Sequence, residues 1–220
     1  MKKITVFAAS ILFTAALAQA VTITPGTPEN GNSASSTGPA PLFGTRFTFD
    51  SLTPNSTFSA STYAAQGVTI SSPDGLVVSP YSTQSGPNEL FDNSSDGSAN
   101  IKIVLTKGTN EIGIGIADSD GVPVTIEALS STGAVLGTLS STMPNNTVNP
   151  FNGYFVASDG GNYDIYGLAI LQASGNAASF SGLAIDDLQV NPTPEPATLA
   201  MFGVGAVLLG AFRVRARSRA

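Results

Sequence analysis

Two acidic steps in this chain coincide with breaks in the alternation of apolar residues. In residues 49–52 (Phe-Asp-Ser-Leu) and 185–188 (Ile-Asp-Asp-Leu) the apolar side chains stand three positions apart, whereas a regular strand repeats every two. A β-bulge would explain both slips, because one extra residue turns the side chains that follow it. A bulge could direct Asp186 and Asp187 toward one shared ligand. Aspartates at these points could also cap strand ends by accepting from backbone amides.

Two further segments carry several oxygen ligands of the kind that calcium prefers. One contains Asp92, Asn93 and Asp96, and the other contains Asp118 and Asp120. Neither completes the twelve-residue EF-hand loop, which closes on an acid. Turns rich in Asp and Asn have the same composition, and that interpretation is favoured for both segments.

The composition excludes most hydrolytic mechanisms. The chain has no histidine and no cysteine, so the usual zinc ligand and the base of serine or cysteine hydrolases are absent. A glycosidase needs two carboxylates about 5 to 9 Å apart, one of them with a shifted pKa, and no spacing singles out such a pair. We therefore predict a protein that is not an enzyme, with a weak glycoside hydrolase as the less favoured alternative.

Short apolar runs separated by Gly, Asn, Asp, Ser and Pro predict an all-β sandwich from residue 45 onward. The clearest strand is 111–117, with isoleucines on one face and glycines on the other, and 101–105 is its expected hairpin partner. Further strands are expected at 46–49, 68–71, 76–79, 122–128, 135–139, 153–157, 167–171 and 183–190. About ten short strands fit one jelly-roll-like antiparallel domain at 45–191.

The amino terminus has the layout of a secretory signal peptide. Lys2 and Lys3 precede an apolar stretch, and Ala18-Gln19-Ala20 supplies the small residues of a signal-peptidase site. Signal peptidase is therefore an expected partner, and residues 1–20 are expected to be removed. The next segment, 21–44, is rich in Pro, Gly, Ser and Thr and is predicted to be a flexible spacer.

The carboxyl terminus combines a motif, an apolar run and a basic tail. Pro194, Glu195 and Pro196 precede 16 uncharged residues at 197–212. A helix of that length measures about 24 Å, short of the roughly 30 Å hydrocarbon core, and could span the membrane if flanking arginines snorkel. The positive-inside rule then holds the tail in the cytoplasm. The arginines of the tail at 213–220 are Arg213, Arg215, Arg217 and Arg219.

Residues 192–220, with this order of motif, apolar helix and basic tail, resemble the PEP-CTERM sorting signal of exopolysaccharide-producing Gram-negative bacteria. The resemblance implies a precursor anchored in the inner membrane and cut near the motif by an exosortase. It also implies delivery to the cell surface or the extracellular matrix. It names no activity, since proteins with this tail have diverse bodies.

The body between the two export signals is strongly acidic. Its cations are Arg46, Lys102 and Lys107, and it carries 14 carboxylates, which gives residues 21–193 a net charge of −11. Such a surface repels phosphate backbones, so nucleic acid is not an expected partner. Acids on an extracellular surface also maintain solubility.

The acidic steps also resemble those of jelly-roll domains that open with Phe-Asp and close with Ile-Asp-Asp-Leu, several of which are carbohydrate-binding or cell-surface sandwiches. The resemblance implies that the first and last strands lie close together. It nominates Asp50, Asp186 and Asp187 as ligands of a structural calcium. Ser51 stands where an aspartate is frequent in such domains, which weakens that site.

These observations predict an exported, non-catalytic β-sandwich that binds exopolysaccharide or other glycans in a biofilm matrix or at the cell surface. The alternative is a purely structural surface protein that associates with itself. The residues that would contact a glycan are not indicated by the sequence.

Overall fold

The computed structural model describes residues 20–25, 43–80, 87–95, 98–117, 122–142, 151–173 and 183–191. These residues form thirteen β-strands and one 3₁₀ turn, Ala64–Gln66. The strands are β1 Thr22–Pro25, β2 Thr45–Phe47, β3 Thr57–Phe58, β4 Val68–Ser71, β5 Leu76–Ser79, β6 Glu89–Asp92, β7 Ala99–Thr109, β8 Glu111–Ala117, β9 Pro123–Leu129, β10 Val135–Thr142, β11 Phe151–Ser158, β12 Ile165–Gln172 and β13 Ala184–Val190.

The strands form two antiparallel sheets. The larger sheet has the order β1-β11-β8-β13-β6-β5-β3, with β2 also paired to β13. The smaller sheet has the order β10-β9-β12-β7-β4. The predicted all-β sandwich is confirmed, and β2 lies beside the last strand as the jelly-roll resemblance implied.

The core lies between the two sheets and follows the alternation of the sequence. Ile112, Ile114 and Ile116 of β8 are fully buried against the smaller sheet, whose inward residues include Ile103 and Ile170. Each such side chain contributes about 1.5–3 kcal/mol on burial. The glycines of β8 lie on the opposite, outer face of the larger sheet.

The predicted hairpin between β7 and β8 is wrong. The two strands belong to different sheets, because Asn110 alone connects them and a hairpin turn needs at least two residues. The Thr109 hydroxyl braces this corner, because it lies 2.7 Å from the carbonyl of Glu111 and 2.6 Å from that of Asn191, donates its one proton to either, and accepts the Glu111 N–H at 3.2 Å.

Asn191 follows β13 and is held by the same corner. Its backbone N–H donates to the carbonyl of Glu111 at 3.0 Å, and its side-chain amide donates to the Asn110 side chain at 2.7 Å. The last described residue of the domain is therefore fixed to the crossover between the sheets.

Three strands were not predicted. β3 has two residues, β6 contains two acids, and β1 lies inside the segment that was expected to be a spacer. β1 acquires its structure by pairing with β11. The Pro- and Gly-rich composition that follows Pro25 does not extend back over these four residues.

The bulge inferred at the last strand is confirmed, and the one inferred near residue 50 is wrong. The register between β13 and β8 shifts between Asp186 and Gln189. Near residue 50, β2 has already ended, and a turn closed by a 3.0 Å hydrogen bond from the Leu52 N–H to the Phe49 carbonyl accounts for the apolar slip.

Several sequence predictions fall outside the described residues. These are Ala18, Asp96, Asp118, Asp120, the 194–196 motif, the 197–212 helix and the 213–220 tail. Ala20 is described and exposed. Among the described residues there is no helix with the length and apolar character to cross a membrane.

Candidate functional site

The bulge in β13 and the short strand β2 together position an arginine and an aspartate. Phe47 pairs with Leu188, and Arg46 pairs with Gln189. Since directly paired residues of neighbouring strands share a face, and Phe47 and Leu188 are buried in the core, Arg46 lies on the outer face of the larger sheet. The bulge places Asp187 within reach of it.

Arg46 and Asp187 form a two-pronged ion pair. Nε donates to Oδ1 at 2.7 Å and Nη2 donates to Oδ2 at 2.5 Å. The Asp187 side chain is fully buried, and that of Arg46 is 18% exposed. Parallel hydrogen bonds of this kind are among the stronger polar contacts in proteins.

The backbone at the bulge is unusual. Asp187 has φ +49°, a left-handed conformation that Asp and Asn tolerate better than most residues. The Asp186 carboxylate accepts the Asp187 backbone N–H at 2.7 Å. The two neighbouring carboxylates therefore have different roles, one bracing the bulge and the other holding the arginine.

A buried tyrosine lies beside this pair. Tyr154 of β11 and Asp186 of β13 both pair with Gly115, so all three share the outer face. A Cβ at Gly113 would overlap the Tyr154 hydroxyl, which means that glycine makes room for the phenol. Burial first, and the Asp187 carboxylate second, raise the pKa of Tyr154, and its hydroxyl has no hydrogen-bond partner among the described residues.

Asp50 joins the cluster from the turn after β2. The Asn88 backbone N–H donates to its carboxylate at 3.5 Å, and the Asn88 side chain donates to the Asp50 carbonyl at 3.1 Å. Burial raises the pKa of Asp50, and the neighbouring Asp187 carboxylate adds to that rise. The structure thus places the carboxylates of Asp50, Asp186 and Asp187 close enough for their charges to act on one another or on the same tyrosines.

The fit of a calcium ion to this cluster depends on Arg46. Both oxygens of Asp187 accept from the guanidinium, which takes the place that a cation would have. Within the described ranges, no group of three or more acids is arranged to hold a metal. Calcium at Asp50, Asp186 and Asp187 stays a prediction, and it requires the arginine to move aside.

Asp92, from the second acidic group, connects the two sheets. It ends β6 in the larger sheet and accepts from the Asn100 backbone N–H of β7 at 3.1 Å and from the Ser72 hydroxyl at 2.9 Å. Burial raises the pKa of Asp92. Its second oxygen is buried without a partner among the described residues. Asn93 is exposed.

A cleft of about 530 Å³ opens at one end of the sandwich. Its apolar floor includes Phe47, Leu105 and Val190, and its polar rim includes Gln66 and Lys107. The 3₁₀ turn, β7 and the ends of β2 and β13 form its walls. Ligand sites commonly combine an apolar lining with a few polar groups in this range of size.

An irregularity in β7 creates the cleft. The register between β12 and β7 jumps from Thr109 to Val104, opposite Ile165 and Gly167, so residues 105–108 leave the ladder with β12, while Leu105 still pairs with Val68 of β4. The Thr106 N–H donates to the Gly67 carbonyl at 2.9 Å. This bond joins the displaced residues to the end of the 3₁₀ turn.

Two half-buried tyrosines lie next to the cleft. A Cβ at Gly108 would overlap the Tyr163 carbonyl and approach the Tyr166 ring, so the cleft wall packs directly on this pair. Tyr163 has φ +61°, in a turn that Asp159 holds. Asp159 accepts backbone N–H groups of Gly161 at 2.9 Å, Asn162 at 2.9 Å and Asp164 at 2.6 Å.

The sequence did not nominate Arg46, Tyr154, Gln66 or Lys107. One signal was available for Arg46, since it is the only arginine in the acidic body and directly precedes the first alternating Phe-x-Phe. Gln66 and Lys107 line the same cleft because residues 105–108 leave the ladder with β12, and no local sequence pattern indicates that departure.

Comparison with known proteins identifies the carboxyl terminus. Residues 192–218 match the family model of the PEP-CTERM protein-sorting motif. This confirms the resemblance drawn from the motif, apolar run and arginines. No curated protein sequence matches the chain.

Solved structures resemble the sandwich at low identity. An arabinose-bound α-L-arabinofuranosidase matches at 14% identity and TM-score 0.43, over 78% of this chain and 32% of its own. Carbohydrate-binding modules of the β-sandwich superfamily match at 11% identity and TM-score 0.37, over 64% of each chain. A family 6 carbohydrate-binding module matches at 12% identity and TM-score 0.32, over 70% of this chain and all of its own. The chain thus spans about a third of the arabinofuranosidase.

Proposed function

We propose that this protein is processed by an exosortase and displayed at the cell surface or in the extracellular matrix, where its sandwich binds exopolysaccharide or another glycan without catalysis. The matched sorting motif at 192–218 supports the proposal, because it implies export through a membrane-anchored precursor in a Gram-negative bacterium. The sandwich ends at residue 190, directly before that motif, and is therefore the part that sorting would deliver.

The cleft is the proposed glycan site. Its apolar floor suits the C–H faces of a sugar ring, and Gln66 and Lys107 at its rim suit the hydroxyls. Lys107 supplies a hydrogen-bond donor for sugar hydroxyls, and the net charge of −11 on the body favours a neutral or cationic glycan over an acidic one. The outer-face cluster is less suited to this role, since Asp186, Asp187 and Tyr154 are buried.

Retention of the processed body, residues 21–193, on the producer's exopolysaccharide and on a glycan panel tests the proposal. We expect Lys107→Ala and Gln66→Ala each to weaken retention about tenfold, the scale of one lost polar contact. Lys102→Ala is the matched control, because Lys102 lies on the same strand but on the exposed face of the smaller sheet.

The outcomes separate the alternatives. Retention that Lys107→Ala and Lys102→Ala affect equally would contradict the cleft as the site. Failure of the wild-type body to bind any glycan would overturn glycan binding, and release of reducing sugar would replace binding by hydrolysis.

Parallel arms with calcium and with EDTA test the proposed ion at Asp50, Asp186 and Asp187. If calcium displaces Arg46, the thermal midpoint rises in calcium, and Asp50→Asn removes that rise. If the ion pair persists, the two midpoints agree, and the calcium prediction fails.

A further inference from the structure

The first strand closes a seam between the two sheets. β1 pairs with β11 at the edge of the larger sheet, and Val21 just before it is buried in the core. A Cβ at Gly137 of β10, in the smaller sheet, would overlap the Val21 carbonyl. The start of the body therefore fits between β11 of the larger sheet and β10, an edge strand of the smaller sheet.

The seam accepts β1 through contacts that a second copy could supply as well. Removing β1 would leave the β11 backbone at Phe155–Ser158 without its partners and would expose the core beneath Val21. Open strand edges are templates for pairing with another chain. The best replacement is a strand with the same sequence and register, which is β1 of another molecule.

The connection of β1 to the rest of the sandwich permits this exchange. Seventeen residues, 26–42, lie between Pro25 and the next described residue, and thirteen of them are Gly, Pro, Ser, Thr or Asn. Fully extended, such a segment reaches about 55–60 Å, more than the width of a domain of this size. The expected cut after Ala20 also leaves β1 with a free end, so that exchange requires no threading of the chain.

The sequence separation also favours exchange. The Thr22 hydroxyl donates to the carbonyl of Ser158, 136 positions later in the chain. During synthesis β1 is therefore made well before β11, the strand with which it pairs. A link with about as many residues as 26–42 gives an effective concentration in the millimolar range. Copies that the sorting signal gathers on one membrane face have a higher local concentration than copies diluted in solution. Their first strands therefore compete better with β1 of the same chain.

We propose that β1 exchanges between copies of this protein, so that the first strand of one molecule completes the sandwich of the next. The exchange is independent of glycan binding, because β1 and the seam share no residue with the lining of the cleft. It would link displayed copies through the same β1–β11 hydrogen bonds that form within one molecule, so no additional interface is needed.

Single-cysteine variants test the proposal, since the chain has no cysteine of its own. Thr22→Cys and Ser158→Cys stand directly opposite in register, within the distance that a disulfide can bridge. The two variants of the processed body are mixed at high concentration, unfolded, refolded together and oxidised. We expect a disulfide-linked heterodimer on non-reducing gels, several-fold above control.

Thr125→Cys mixed with Ser140→Cys is the matched control. These residues are also opposite in register and lie 2.9 Å apart by their hydroxyls, but β9 and β10 are joined by a short described turn and have no free end to exchange. A heterodimer yield equal to this control would overturn the proposal.

The double variant Thr22→Cys/Ser158→Cys in one dilute chain verifies that the pair can be oxidised. If it does not form an internal disulfide, the same mixing is repeated with Thr24→Cys and Val156→Cys, the pair two positions further along. Ser158→Cys oxidised alone after the same refolding measures crosslinks that do not involve β1. A dimer yield equal to that of the mixed variants would also overturn the exchange of β1.

Discussion

Arg46 and Asp187 lie 141 positions apart and are joined by two parallel hydrogen bonds of 2.7 and 2.5 Å. They stand on adjacent strands, the first after the spacer and the last before the sorting motif. Asp187 has no exposure to water and sits in a left-handed backbone conformation. The pair thus holds the two ends of the main domain together at the point where β13 is irregular.

Replacing Asp187 should destabilise the sandwich through the charge that remains on Arg46. We expect Asp187→Ala to lower the free energy of unfolding by about 3 kcal/mol, as for other broken buried pairs. Asp187→Asn should cost less, because asparagine tolerates positive φ and keeps an acceptor. Urea titrations measure both. In a double-mutant cycle with Arg46→Met the losses should be less than additive, and strict additivity would show that the pair contributes nothing.

Asp92 should make stability depend on pH in an unusual direction. Burial raises its pKa above 3.8, so its protonated form is favoured in the folded state. Its stabilising contribution is complete below about pH 3.8 and is lost as pH rises through the folded pKa. The Asp92→Asn variant should therefore be more stable than wild type by roughly 1 kcal/mol at pH 7, because it removes a buried charge and keeps an acceptor for the Ser72 and Asn100 donors.

The difference between Asp92→Asn and wild type should vanish near pH 3. Asn93→Ala, at an exposed neighbouring position that does not titrate, should follow the wild-type profile across the same range. Urea unfolding at pH 3, 5 and 7 measures all three proteins. A variant that is less stable than wild type at pH 7 would show that the Asp92 charge is satisfied.

The turn beside the cleft should depend on one carboxylate. Asp159→Ala removes three acceptor contacts to backbone N–H groups and should cost about 2–3 kcal/mol. Asp164→Ala, five residues later, keeps its own backbone N–H and should change stability by less than about 0.5 kcal/mol. Thermal or urea unfolding compares the two. Equal effects would mean that the turn does not rely on Asp159.

Tyr154→Phe should be neutral or stabilising. The hydroxyl is buried without a hydrogen-bond partner among the described residues, and its removal should gain up to about 1 kcal/mol. Gly113→Ala is the companion change and should cost several kcal/mol, because its Cβ would overlap the phenol. Denaturant unfolding of both variants checks the assignment. A loss of more than 1 kcal/mol in Tyr154→Phe would reveal a partner for the hydroxyl.

The sequence was most informative where alternation is long and the face assignment is unambiguous. The strand at Glu111–Ala117 was predicted with its observed bounds, and the slip at Asp186 located the bulge of β13. The slip near Asp50 has the same spacing but is a turn. A slip in the apolar alternation does not by itself distinguish a bulge within a strand from the point where a strand ends.

The remaining features depend on contacts between distant segments. β1 is a strand because β11 offers it an edge, and β6 is a strand although it contains two acids. The crossing at Asn110 separates two strands that are neighbours in sequence. The cleft arises from the irregular residues at 105–108, whose displacement is set by Gly67 and the turn that precedes it. Local composition carries little information on any of these.

The position of β13, the strand that ends at the Asn191 corner, bears on how the domain would respond to mechanical load. The chain leaves the sandwich from β13, which lies inside the larger sheet between β8 and β6. A pull along that strand meets its ladder of hydrogen bonds in shear, all at once, because those bonds run perpendicular to the strand. A pull across the strand would instead open them one at a time. The carboxyl end of the sandwich is therefore well held against a pull along its own strand.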